Sequence, residues 1–122
     1  AEMDFGDWEN RTWDAIGQGA IDAWTAAFAT HRCGGGESVN DVLRRVAAAL
    51  DAACARGRDT LWITHAGVAR AAQVLLAAPA QPLVAAAWPR AGLAFGAHAC
   101  TILDAPGVRA RLRENAHARG RA

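Results

Sequence analysis

The sequence has no lysine and no tyrosine, and only one methionine and three cysteines in 122 residues. All 13 basic residues are arginine and alanine fills 32 positions. That skew reads as codon bias, so the missing lysine carries no functional weight. Cys33, Cys54 and Cys100 are an odd number without CxxC spacing, which points to neither a disulfide framework nor a zinc ribbon and fits reduced thiols in a cytoplasm. The pairs His31/Cys33 and His98/Cys100 could each set two metal ligands on one strand face, but nothing in the sequence brings the pairs together, and no metal is expected. No apolar run approaches the roughly 20 residues of a membrane span, and the N-terminus lacks a basic-then-apolar signal pattern. A soluble, cytoplasmic protein is the expectation. A net charge of +1 offers no basic excess for nucleic acid or an acidic membrane. The 52% hydrophobic content suffices for one globular core, so one domain, or part of one, is expected.

What is present begins with apolar anchors at loosely helical spacing: Trp8, Trp13, Ile16, Ile21, Trp24 and Phe28. Gly17-Gln18-Gly19 interrupts them, which predicts two short helices. Cys33-Gly34-Gly35-Gly36 reads as a flexible loop. Ser38 then stands as a helix N-cap with Asp41 at capping-box spacing. Val39, Val42, Leu43, Val46, Leu50, Ala53 and Cys54 recur at three and four, predicting an amphipathic helix that ends near Arg56-Gly57. Residues 60–64 (TLWIT) read as a short buried strand. Residues 68–78 read as a further helix that Pro79 stops. Helix, strand and helix in that order suggest an α/β layer fold. Residues 92–99 and 100–103 look extended, and 108–113 alternate after a turn at 104–107. Arg109, Arg111 and Arg113 on that last stretch read as the solvated face of an edge strand in preference to a polymer-binding stripe.

His65 ends the apolar run LWIT, and Ala66 and Gly67 follow with little side chain, so a ligand can reach the main chain. The next helix presents unpaired N–H groups and the positive end of its dipole. Such a place suits an anion. An imidazole there can donate to a phosphoryl oxygen. The alternative is a structural histidine bonded to a nearby carbonyl, and these residues alone do not choose between the two.

Three motifs add to this. EMDFGDWEN, with Glu2, Phe5-Gly6 and Trp8-Glu9, resembles the acidic stretch of the histidine phosphatase superfamily, the group containing phosphoglycerate mutase and alpha-ribazole phosphatase. Gly34-Gly35-Gly36-Glu37-Ser38 with Arg45-Val46 is similar to that family's GGES and RV. LWITHAGVARA is similar to its strand ending in the second catalytic histidine, and Asn115 lies where members often end in LN. The tryptophan-rich opening and GGES most resemble alpha-ribazole phosphatases. The resemblance implies phosphomonoester hydrolysis through a phosphohistidine, possible on alpha-ribazole 5'-phosphate in cobalamin synthesis. It makes Glu2 the acid that protonates the leaving alkoxide and His65 the histidine that steadies the phosphoryl group, with Ala66 and Gly67 at the phosphate. No cofactor is implied, and the partner is a small phosphorylated substrate.

The sequence departs from the family pattern in lacking its Arg-His-Gly nucleophile motif, and Asn10 stands where a glycine is common. Residues 1–122 are therefore expected to be the C-terminal portion of a single histidine-phosphatase domain. The expected fold is an α/β three-layer sandwich, phosphoglycerate mutase-like, whose N-terminal strand and Arg-His-Gly motif lie outside these residues. The 122 residues by themselves are expected to be inactive. A non-catalytic remnant that binds a phosphorylated ligand or partner is the alternative, and mutase-type phosphoryl transfer is a third.

Overall fold

The computed structural model describes residues 1–77 and 83–102. Four α-helices run through them: α1 (Trp13–Ile16), α2 (Gln18–Ala26), α3 (Val39–Arg56) and α4 (Ala66–Ala77). Short 3-10 turns lie at Gly6–Trp8, Cys33–Gly35 and Ala85–Ala87. The expected break between the first two helices is present, with Gly17 at φ +89° between them.

α3 follows its sequence signals closely. The Ser38 hydroxyl accepts from the Asp41 N–H while the Asp41 carboxylate accepts from the Ser38 N–H, a complete capping box. Gly57 closes the other end in the left-handed conformation at φ +61°. Its apolar stripe, Val42, Leu43, Val46 and Leu50, is buried against Val68, Ala71, Val74 and Leu75 of α4. Leu43, Ala71 and Leu75 are fully excluded from solvent. Phe28, Ala29 and Leu83 complete the buried cluster, and Met3, Trp24, Trp62 and Trp88 pack partly against it. An aromatic chain runs outward from this core, with Trp24 against Phe5, Trp8, Trp13 and Phe28.

The expected α/β three-layer sandwich is not what the described residues form. Among them there is no strand and therefore no sheet; the architecture is helical. Residues 60–64, expected as a buried strand, form no regular element and have no ladder partner, with Leu61 84% and Ile63 94% exposed. β-branched and aromatic residues favour a pleated surface only when a neighbouring strand supplies it, and propensity cannot supply the neighbour. Residues 92–102 are likewise exposed and form no strand, Phe95 and Ile102 included, and a turn closed by the Ala97 N–H on the Ala94 carbonyl interrupts them. α4 begins two residues earlier than expected, so Ala66 and Gly67 form its first turn. Pro79, the turn at 104–107, the alternating stretch 108–113 and Asn115 lie outside the described residues.

Candidate functional site

Residues 1–6 run across the start of α3 towards the start of α4, and three features hold them there. The first is a backbone crossing. Gly6 and Gly34 have φ of +52° and +54°, and a Cβ on Gly6 would fall 2.7 Å from the Gly36 nitrogen. A Cβ on Gly34 would fall 2.6 Å from the Trp8 nitrogen, and one on Gly36 would fall 2.9 Å from the Asp4 carbonyl carbon. Only glycine lets two backbones approach so closely. The expected flexible loop is thus a packed crossing, tied by the Glu37 N–H donating to the Asp4 carbonyl at 2.8 Å.

The second feature is an ion pair. Arg45 on α3 donates through Nε to Glu37 Oε1 at 2.9 Å and through Nη2 to Glu37 Oε2 at 3.1 Å. The same guanidinium donates to the carbonyls of Ala1 at 3.0 Å and Glu2 at 2.9 Å. Glu37 Oε2 also accepts from the Asp4 N–H at 3.0 Å. Partial burial alone would push the Glu37 carboxyl up, but the bonds from Arg45 and Asp4 and the charge of Arg45 outweigh it and hold the group below its ordinary value.

The third feature is the Glu2 side chain. Its Oε2 accepts from the Gly67 N–H at 3.2 Å, and its Oε1 accepts from the Met3 N–H at 3.0 Å. Glu2 therefore occupies an orphan donor in the first turn of α4, where the helix dipole favours negative charge. A Cβ on Gly67 would displace the Glu2 carboxylate from this place, a shift the flexible side chain can make at the cost of the contact.

Glu2 and Gly67 are 65 positions apart in sequence and are brought into contact. His65 and Ala66 flank that contact in sequence; both are exposed, and the His65 carbonyl accepts from the Ala69 N–H as α4 begins. An open cleft of about 380 Å³ has Ala1, Arg45, Thr64 and Val68 among its lining residues, so it touches the chain neighbours of both Glu2 and His65. Of the other histidines, His31 lies 6.2 Å from the Trp8 ring between centroids, and His98 lies on the exposed stretch 92–102. Cys33 is fully buried and Cys100 exposed. Among the described residues no three His, Cys, Asp or Glu side chains are grouped to hold a metal, and no helix is long and apolar enough to cross a membrane. Sequence reasoning did not assign roles to Glu37 and Arg45, although both belong to the GGES and RV signals. Their eight-residue spacing gives no hint that they meet over the Glu2 main chain.

No curated protein and no solved structure matches the chain. The family model of the histidine phosphatase superfamily (branch 1) matches residues 1–113. That match spans the acidic opening, the glycine crossing and the start of α4, and the chain belongs to the histidine phosphatase superfamily.

Proposed function

We propose that this protein serves the hydrolysis of a phosphomonoester through a phosphohistidine, with Glu2 as the general acid and His65 as a donor to the transferring phosphoryl group. The contact of Glu2 with the Gly67 N–H, two residues after His65, carries the reading. It joins the acidic opening to the anion-favouring end of α4, although no local sequence constraint links them.

In the proposed reaction a histidine nitrogen bonds to phosphorus as the P–O bond to the leaving group breaks, and the Glu2 proton passes to the departing alkoxide. Water then attacks the phosphohistidine, the P–N bond breaks, and the water's proton returns to the Glu2 carboxylate. Donors from His65 and from the first-turn N–H groups of α4 other than that of Gly67, which Glu2 holds, oppose the charge on the equatorial oxygens. The family nucleophile belongs to an Arg-His-Gly triplet that does not occur in these 122 residues. That step then falls to an Arg-His-Gly triplet elsewhere in a longer polypeptide, and residues 1–122 alone are expected to be inactive. For substrate, the resemblance of the tryptophan-rich opening and GGES to alpha-ribazole phosphatases supports alpha-ribazole 5'-phosphate. The same missing triplet favours a second reading, a non-catalytic module that binds a phosphorylated ligand.

The test uses the complete gene product. His65→Ala is expected to lower phosphomonoester turnover by about a hundredfold or more, the scale of one lost transition-state donor. Glu2→Gln is expected to penalise alkyl phosphates far more than nitrophenyl phosphate, whose leaving group needs little protonation. Near-normal turnover by the His65 variant would make that residue structural. Phosphate binding by the wild type without turnover or phosphohistidine would establish the non-catalytic module instead.

A further inference from the structure

Holding a short N-terminal segment in one place normally requires burial of its side chains, yet Ala1 and Asp4 are exposed and Glu2 is only partly covered. Main-chain bonds do much of this holding. Arg45 and Glu37 together engage the carbonyls of Ala1 and Glu2 and the N–H of Asp4, while the Glu37 N–H engages the Asp4 carbonyl. Every one of these bonds is to backbone on the acid-bearing segment, and the two side chains are locked to each other by two further bonds. We infer that the Glu37–Arg45 pair is a positioning device for the acid: it fixes the peptide on both sides of Glu2 so that the Glu2 carboxylate reaches the start of α4.

Geometry explains the choice of residues. Arg45 uses Nε and both terminal nitrogens in one plane, two towards the Glu37 carboxylate and two towards the carbonyls, with Nη2 shared between the sets. A lysine ammonium is a point charge with three donors and cannot span that fork. The pair is partly shielded, with side-chain exposures of 35% for Arg45 and 24% for Glu37. It is therefore less open to water than most surface pairs. Its anchor is α3, whose buried face is packed on α4, so the carboxylate and the Gly67 N–H are referred to the same rigid pair of helices. A carboxylate that must deliver a proton to a leaving oxygen depends on such placement, because a displacement of about 1 Å can cost a hundredfold in rate.

The inference rests on Glu2 acting as the acid, and the experiment separates the two ideas. In the complete gene product, the Gly67 amide resonance reports its bond to Glu2 without any turnover. Arg45→Met is expected to shift that resonance in the same direction as Glu2→Ala does, and to speed its hydrogen exchange. On substrates, Arg45→Met and Arg45→Lys are each expected to reduce alkyl phosphate turnover at least about tenfold more than nitrophenyl phosphate turnover. The double variant Glu2→Gln with Arg45→Met is expected to be no slower on alkyl phosphates than Glu2→Gln alone, since a residue acting through another adds nothing once that other is gone. Glu37→Gln, which keeps an acceptor for the Asp4 N–H, serves should Arg45→Met fail to fold. An unshifted Gly67 resonance or multiplicative losses in the double variant would overturn the positioning role. A shifted resonance with no leaving-group contrast in any variant, Glu2→Gln included, would overturn the acid role of Glu2 and leave the clamp standing.

Discussion

Gly34 and Gly35 are neighbours with positive φ, +54° and +79°, and alanine at either costs about 1 kcal/mol for left-handed backbone alone. Their surroundings differ. A Cβ on Gly35 meets no heavy atom within 4 Å, whereas one on Gly34 would sit 2.6 Å from the Trp8 nitrogen and 2.7 Å from that of Asp7. Because those atoms are main chain, the clash is relieved only by separating residues 5–8 from the turn. Overpacking of this kind costs about 1–3 kcal/mol. Straining the nearby Glu37 to Asp4 bond of 2.8 Å adds about 1 kcal/mol. Gly35→Ala is thus expected to lose about 1 kcal/mol and Gly34→Ala about 3–5 kcal/mol. Urea unfolding followed by tryptophan fluorescence measures both, since Trp24 packs on Phe5 and Trp8 of the crossing segment. Gly6→Ala, whose Cβ would lie 2.7 Å from the Gly36 nitrogen, is expected to match Gly34→Ala. Equal losses at Gly34 and Gly35 would refute the crossing and leave only backbone conformation as the reason for glycine.

Two further outcomes follow from titrating groups other than Glu2. Burial raises the Asp41 carboxyl, but the Ser38 N–H and hydroxyl, Arg44 and the charge of Arg32 outweigh it and bring the group from 3.8 to about 2. A carboxyl depressed on folding contributes stability that is full above its unfolded value and lost as pH falls through the folded one. About 2 kcal/mol should therefore disappear between roughly pH 5 and pH 2. Asp41→Asn is expected to remove that portion of the pH dependence in parallel urea titrations. Cys33 is fully buried, and burial pushes its thiol from 9.0 to about 11 against a weaker opposing backbone hydrogen bond. Alkylation near pH 8, followed by peptide mass spectrometry, is expected to label exposed Cys100 readily and Cys33 only after unfolding; comparable labelling rates would contradict the burial.

α3 was legible from its residues because everything that makes it is local: Ser38 and Asp41 at the start, apolar positions at three and four, Gly57 at the end. The Gly17 break was legible for the same reason. Residues 60–64 were misread because a strand is a relation between segments, and their β-branched and aromatic side chains say nothing of a partner. The family motifs identified Glu2 and His65 as candidates, and composition and periodicity would not have found Glu2 at all.

The amino-acid sequence by itself determined the helices, their caps and the anion-favouring turn that follows His65, since caps, periodicity and helix dipoles act within a few residues. Tertiary structure decided that Gly34 and Gly36 exist to let residues 4–6 cross them, and that Arg45 spends its donors on the main chain of Ala1 and Glu2. It also decided that the Glu2 carboxylate ends on the Gly67 N–H. Those contacts join positions up to 65 apart in sequence, and only the packing of α3 on α4 brings them within the roughly 3 Å over which a hydrogen bond acts.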